Sequence, residues 1–356
     1  RVGIHRLPPP PLSAHNALRV KAFGPRALRL SSLSLVAMTC VNMPPGMINQ
    51  TPLLESQPLS EMLGKRVLLK MEALQQSGSF KDRGMAYMCS QLQKQGVSRL
   101  ISSSGGNAGL AAATMGRKLG MAVRVVVPTT TKPLMLERIR AQQAEVRVHG
   151  ANWNEADGLA RDMVAKEETA AYVPPYEDPL LWEGHSSIID ELAAAGVKPD
   201  AVVASVGGGG LYCGLVRGLQ RHGWDDVVVL TAETDGAACF SASLSAGESV
   251  RLSAITSVAT SLGALSPSPT ALSLAKTQPT RALTVSDTEA VGACVSLLDD
   301  HRVLVEPACG AALALLYSER QRAQLSDFNT IVVVVCGGSG VNAEILQQWK
   351  RDLLTE

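Results

Sequence analysis

The chain has 356 residues, a formal net charge of +1 and 18% charged residues, long enough for two domains with a shared cleft and without the basic stripe that nucleic-acid binding requires. Seven cysteines are scattered at positions 40, 89, 213, 239, 294, 309 and 336, with no C-x-x-C and no zinc-like Cys/His spacing, which points to a reducing compartment. The apolar runs, such as Ala311 to Tyr317 and Ile331 to Cys336, are far shorter than the roughly 20 residues of a membrane-spanning helix, so no membrane partner is expected.

Residues 1–37 differ in kind. They carry Arg1, Arg6, Arg19, Lys21, Arg26 and Arg29, several prolines and serines, and no acid; the first is Glu55. Because Pro8 to Pro11 interrupts any amphipathic helix, the segment reads as a disordered or non-native extension upstream of a start at Met38. The other reading is a transit peptide.

From Thr51 onward, short β-branched runs alternate with longer helical stretches, which predicts an α/β architecture with largely parallel sheets. Val67 to Lys70 is a strand and Lys81 to Gln95 the next helix, so Lys81 sits at a helix N-terminus. Leu100-Ile101 is a strand running into Ser102-Ser-Ser-Gly-Gly-Asn-Ala-Gly109, followed by a helix over 110–119. A strand over 123–127, a helix over 134–143 and a strand over 145–149 continue the βα spacing. The proline- and aromatic-rich stretch 172–182 reads as a crossing between domains, followed by a helix over 186–195. A strand over 201–206 ends at Gly207 to Gly210, with a helix over 211–221 behind it; a strand over 227–232 ends at Glu233. Helices are expected over 287–298 and 309–322, and a buried strand over 330–335 closes on Cys336-Gly-Gly-Ser-Gly340.

Two segments carry chemistry together. A strand, four glycines and a helix N-terminus form a phosphate site by backbone geometry. A nucleotide P-loop is excluded, because Leu211 and Tyr212 stand where Lys and Ser/Thr belong; a dinucleotide fingerprint fails because Gly214 falls one place late. Gly338-Ser-Gly340-Val-Asn-Ala343 matches G-x-G-x-x-A, but too little chain follows for a βαβ unit. Lys81, in Ser77-Gly-Ser-Phe-Lys-Asp-Arg-Gly84, carries an amine that can condense with an aldehyde, and apolar Phe80 beside it favours a lowered pKa. Alone it reads as a solvated first-turn charge. With the glycine loop it points to an aldehyde-bearing phosphate, pyridoxal phosphate.

Ser102 to Asn107 offers hydroxyls, backbone N–H groups and an amide at a helix start, which suits an α-carboxylate as well as a plain capped turn. Cys336 reads by default as a core cysteine and His185 as a structural histidine.

These segments resemble the pyridoxal-phosphate-dependent serine/threonine dehydratases of the tryptophan synthase β-like fold, fold type II. The resemblance runs from about Thr51 to Asn342 through Thr51-Pro-Leu-Leu-Glu-Ser, the Lys81 motif, Ser103-Ser-Gly-Gly-Asn-Ala-Gly, Pro174-Pro-Tyr-Glu-Asp-Pro, Val206-Gly-Gly-Gly-Gly-Leu, Val305-Glu-Pro-Ala-Cys-Gly and Val335-Cys-Gly-Gly-Ser, and is strongest to the short animal type. It implies two open twisted sheets flanked by helices, with a large cofactor-binding domain over 38–81 and 176–356 and a small domain over 82–175. It implies that Lys81 carries the cofactor aldehyde and, once freed, removes the Cα proton. Gly207, Gly208, Gly209, Gly210 and Leu211 would hold the phosphate, Asn107 the ring hydroxyl and Cys336 the pyridine nitrogen. Phe80, Ser104, Gly105 and Asn107 would line the substrate-carboxylate pocket.

The resemblance further implies a monovalent cation such as K+ at Glu233 and the backbone oxygens of Ala237 and Leu262, although Cys239 stands where the dehydratases have serine. A homodimer, a cytoplasmic location (mitochondrial if 1–37 is a transit peptide) and a place in amino-acid catabolism and gluconeogenesis are implied by the same route. The implied reaction is β-elimination of L-serine to pyruvate and ammonia, and of L-threonine to 2-oxobutyrate and ammonia. A thiol at the ring nitrogen suits elimination, since it leaves the ring a weaker electron sink than a carboxylate would. Position 105 is Gly, as in the serine dehydratase-like branch, where the liver-type branch has Ala; a missing methyl is worth roughly 1 kcal/mol of fit and implies a slower or differently selective enzyme. A serine racemase, a β-replacement enzyme and a weakly active cofactor-binding paralogue are the alternatives.

Overall fold

Strand hydrogen bonding sorts residues 40–354, which the computed structural model describes, into two sheets. The expectations for residues 1–37 and for a start at Met38 lie outside the described residues. The larger sheet comprises β1 (Leu53–Glu55), β2 (Arg66–Lys70), β7 (Ala201–Ser205), β8 (Val228–Thr234), β9 (Thr280–Val285) and β10 (Thr330–Val334), in the order β1-β2-β10-β7-β8-β9. Only β1 is antiparallel to its neighbour. The smaller, all-parallel sheet has the order β5-β4-β3-β6, from β3 (Arg99–Ser102), β4 (Ala122–Val127), β5 (Glu145–Val148) and β6 (Ala170–Tyr172).

The helices are α1 (Gln57–Leu63), α2 (Lys81–Lys94), α3 (Asn107–Lys118), α4 (Pro133–Ala141), α5 (Trp153–Lys166), α6 (Pro179–Ala194), α7 (Gly210–Arg221), α8 (Cys239–Ala246), α9 (Pro269–Leu274), α10 (Asp287–His301), α11 (Pro307–Tyr317) and α12 (Ala343–Leu354). Every residue of β7 is buried, as is β10 beyond Thr330, which is why these strands read as continuous apolar runs rather than alternating ones. In α11 everything from Pro307 to Leu316 is buried, so that helix carries no polar face.

Register places the functional loops. Val334 pairs with Lys70, and Val333 with Val203, so the C-terminal ends of β2, β10 and β7 lie side by side. The loops leaving these ends carry Phe80 and Lys81, Cys336, and Gly207 to Gly210. In the smaller sheet Ser102 pairs with Val125, which sets the loop after β3 beside the loop after β4. Carboxyl ends of parallel strands are where α/β sheets bind ligands.

Several expected helices change length. The helix read as 186–195 begins at Pro179, because proline suits the first helical position and the Asp178 carboxylate accepts from Leu180 N at 2.7 Å. The helix read as 110–119 begins at Asn107. The helix read as 309–322 stops at Tyr317; Ser318 is extended, its hydroxyl donates to Glu289, and a 3₁₀ helix runs over Glu319–Leu325.

Candidate active site

Lys81 opens α2, and the loop before it is clamped to the loop after β10. Phe80 N donates to the Cys336 carbonyl at 3.1 Å, Gly338 N to the Gly78 carbonyl at 2.8 Å, and the Ser339 hydroxyl to the Ser77 carbonyl. Gly78 and Gly337 have φ of 83° and 87°, and a Cβ on Gly337 would stand 2.3 Å from the Gly78 oxygen. Only glycine permits that approach.

The Lys81 amine donates to the Pro175 carbonyl at 2.6 Å and lies 4.9 Å from the centre of the Phe80 ring. Burial lowers its pKa to about 8, so the solvated-charge reading of this lysine does not hold. The Phe80 ring in turn packs on the His185 imidazole at 5.0 Å between centroids. His185 is fully buried, and burial followed by the nearby positive charges of Lys81 and Arg83 holds it neutral.

The first turn of α2 also carries a charge network. The Arg83 guanidinium forks to Glu72 (2.7 and 2.8 Å) and to Glu191 (2.7 and 2.9 Å), while Lys70 donates to Glu191 and to the Thr51 carbonyl. Arg83 and Glu72 are fully buried, and each guanidinium edge has a carboxylate opposite.

The loop after β3 delivers Ser104, Gly105 and Asn107. Asn107 is fixed at both ends of its amide: Oδ1 accepts from Ser339 N at 2.8 Å, and Nδ2 donates to the Glu306 carboxylate at 3.1 Å. Glu306, buried just before α11, also accepts from the Ser261 hydroxyl at 2.5 Å and from Gly340 N. Ser104 Oγ accepts from Gly106 N at 3.3 Å. Among the described residues, the N–H groups of Gly105, Asn107 and Ala108 donate to no protein acceptor. A Cβ on Gly109 would lie 1.8 Å from the Ser104 carbonyl oxygen, so glycine there lets the loop fold tightly over the start of α3.

The glycine loop follows β7. Gly209 is left-handed at φ 96°, and among the described residues the N–H groups of Gly207, Gly208, Gly209, Gly210 and Leu211 have no protein acceptor. The Tyr176 ring lies flat enough on Gly208 that a Cβ there would come within 2.4 Å of it. Pro175 and Tyr176, consecutive in the chain, thus join the Lys81 amine to this loop. Cys336 is buried at the end of β10; its hydrogen bond with the Cys309 thiol, then burial, push it well above the ordinary thiol range, so it is a neutral S–H. Ser205, at the end of β7, is buried beside these thiols.

Glu233 is buried at the end of β8, where its oxygens accept from Phe240 N at 2.9 Å and Ser241 N at 2.7 Å. Among the described residues no basic side chain balances it, and burial raises its pKa to about 7. Leu262 backbone lies against Gly207, where a Cβ would stand 3.1 Å from the Leu262 oxygen, and Cys239 Sγ is 3.8 Å from the Gly207 carbonyl oxygen. Ala237 ends the 3₁₀ turn between Glu233 and α8.

The structure therefore brings Lys81, Phe80, Cys336 and Asn107 into one hydrogen-bonded assembly, with Glu233 and Leu262 behind the glycine loop. Sequence reasoning assigned no role to Glu306, Pro175, Tyr176 and Ser339. These four lie inside segments that carry the family resemblance, and Glu306 also stands out as a lone acid in an apolar run directly before a proline-started helix. A row of unpaired backbone donors, an amine held near neutrality and a neutral thiol fit pyridoxal phosphate, whose anion, aldehyde and ring nitrogen need those three partners.

The profile of the pyridoxal-phosphate dependent enzyme family matches residues 45–337. A human protein named L-serine dehydratase/L-threonine deaminase is 45% identical over 311 residues, which cover 85% of this chain and 95% of that one. A human protein named serine dehydratase-like is 45% identical over 310 residues, covering 85% and 94%. Among solved structures, a fungal L-serine ammonia-lyase from Rhizomucor miehei superposes with a TM-score of 0.81 at 35% identity, covering 86% of this chain and 99% of that one. With this site, this fold and these relatives, the chain belongs to the family of pyridoxal-phosphate dependent enzymes.

Proposed function

We propose that this protein is an ammonia-lyase that eliminates water from L-serine and L-threonine, the released enamine hydrolysing to pyruvate or 2-oxobutyrate and ammonia. The observation that carries the reading is the Lys81 amine, brought to a pKa of about 8 by burial and joined through the Phe80 backbone to the loop of a neutral Cys336 thiol. Bound pyridoxal phosphate supplies the aldehyde and a conjugated ring that takes electron density from Cα.

Lys81 Nζ takes the Cα proton, and a pKa lowered to about 8 leaves far more of the amine in its free, basic form near neutral pH than an ordinary lysine would have. The free N–H groups of Gly105, Asn107 and Ala108, with Ser104, hold the substrate carboxylate at the N-terminus of α3. Those of Gly207 to Leu211 hold the phosphate. Asn107, locked by Ser339 and Glu306, holds the ring hydroxyl, and Phe80 walls the pocket. The Cys336 S–H gives the ring nitrogen no negative partner, which favours elimination over reactions needing a longer-lived carbanion.

The finer reading includes a monovalent cation such as K+ at Glu233, Ala237 O and Leu262 O; its support is a buried carboxylate with no basic neighbour among the described residues. It also includes a small domain over 82–175 closing on a large one over 38–81 and 176–356, which the confinement of the four-stranded sheet to residues 99–172 supports. A homodimer acting in the cytoplasm, in amino-acid catabolism and gluconeogenesis, completes it; seven free cysteines accord with a reducing compartment.

The test is keto-acid and ammonia release from L-serine, L-threonine and D-serine by the cofactor-loaded protein. L-serine and L-threonine should turn over, and Lys81→Ala should abolish turnover. Activity retained in that variant, or none in the wild type, overturns the proposal.

A further inference from the structure

The space over Gly105 is taken. A Cβ on Gly105 would stand 2.6 Å from Thr131 Oγ1 and 2.7 Å from Thr131 Cγ2, closer than non-bonded atoms approach. Thr131 lies in the loop after β4, and the Ser102–Val125 pairing sets that loop beside the loop bearing Ser104 to Asn107. Thr131 N donates to the Pro128 carbonyl at 3.1 Å, which fixes its backbone in a turn. Among the described residues its hydroxyl has no hydrogen-bond partner. A hydroxyl held against the Gly105 Cα therefore sits next to the unpaired N–H groups at the start of α3, with its donor unspent.

We propose that Thr131 is a specificity-determining residue whose hydroxyl donates to the substrate carboxylate, as a side-chain partner to the backbone donors of Gly105, Asn107 and Ala108. The proposal rests on the reading of that loop as the carboxylate site. It changes what glycine does at position 105: a methyl there fills no gap but displaces the Thr131 side chain. The residue at 105 acts through Thr131, and the two positions form one unit.

Glycine is a suitable probe, since it carries the carboxylate and amine and has no β-hydroxyl to lose. Its binding to the cofactor-loaded protein is measured by calorimetry, with thermal unfolding as the check on folding. Thr131→Val keeps the shape and loses the donor, and should raise the glycine Kd roughly tenfold or more, the weight of a hydrogen bond to a charged group. Thr131→Ser keeps the donor and should stay within about twofold of wild type. Gly105→Ala should weaken binding as Thr131→Val does, and the double variant should be no worse than the weaker single one.

Wild-type affinity in Thr131→Val, equal losses in Thr131→Ser and Thr131→Val, multiplicative losses in the double variant, or no glycine binding by the wild type each overturn the proposal. A wild type that binds glycine yet releases no ammonia from serine or threonine overturns the lyase reading alone. One that turns over serine while Thr131→Val binds normally overturns the Thr131 assignment alone.

Discussion

The backbone N–H of Phe80 donates to the carbonyl of Cys336 at 3.1 Å, and this bond couples the position of Lys81 to the end of β10. The amine and the thiol come from distant parts of the sequence, yet the register of β2, β10 and β7 leaves their loops no separate choice of position.

The first consequence concerns protons. With the Lys81 pKa lowered to about 8, capture of pyridoxal phosphate by apoprotein should accelerate about tenfold per pH unit below 8 and level off above it, because only the free amine attacks an aldehyde. In the apoprotein the lowered pKa also means that the folded chain holds fewer protons than the unfolded one between about pH 8 and 10.5, so stability rises with pH across that window. Stopped-flow absorbance after mixing cofactor with apoprotein reads the first effect. A capture midpoint near 10.5 would show that the amine is not perturbed.

Arg83, two residues after Lys81 in α2, is the centre of the buried charge network. Replacing it by Met leaves buried Glu72 with no cation bonded to it and Glu191 with Lys70 alone, and should cost about 3–5 kcal/mol in urea unfolding. Arg83→Lys should recover only part of this, because a single ammonium cannot fork to two carboxylates. A loss under about 1 kcal/mol for Arg83→Met would mean that the network is loosely held.

Much of this arrangement was legible in the chain, for a physical reason. Lys81, Gly207 to Gly210 and Cys336 each come after a short apolar strand, and parallel strands deliver the loops at their C-terminal ends to one edge of a sheet. Strand–loop–helix punctuation is local, so it survives in sequence. Glu306, Thr131 and Pro175 act through tertiary approach: Glu306 reaches Asn107 and Ser261 across the fold, and Thr131 matters only because β4 lies next to β3. No pattern along the chain records such neighbours. The early start of α6 was hidden because prolines in 174–179 read as a linker, although proline is favoured at a helix's first position. The three-residue β6 is too short for its periodicity to stand out, and β9, with the mixed run Thr-Arg-Ala-Leu-Thr-Val buried only at Val285, shows neither a continuous apolar run nor strict alternation.

Glu306 is a positioning residue for Asn107. Glu306→Gln replaces one acceptor oxygen by an amide that must face a donor: Gly340 N–H, the Ser261 hydroxyl or the Asn107 Nδ2. The misfit should cost about 1–3 kcal/mol and appear as weaker retention of pyridoxal phosphate, seen by equilibrium dialysis. Asn107→Ala should weaken retention comparably, and the double variant should lose little more than either. Fully additive losses would show that the two act separately.

Glu233 gives the cation reading a pH signature. Its carboxyl, ordinarily near 4.5, is raised by burial to about 7, so without a cation the folded state binds a proton that the unfolded chain has already released. Stability then falls as pH rises from about 4.5 through 7, by on the order of 3 kcal/mol in total. A cation binds the ionised carboxylate and offsets this cost. Potassium chloride should therefore raise Tm more at pH 8 than at pH 5.5, measured against tetramethylammonium chloride at equal ionic strength. Glu233→Gln should remove the difference between the two salts, because the neutral amide neither takes up the proton nor attracts the ion. Equal increments at both pH values, or a potassium effect that survives in Glu233→Gln, would place any cation elsewhere.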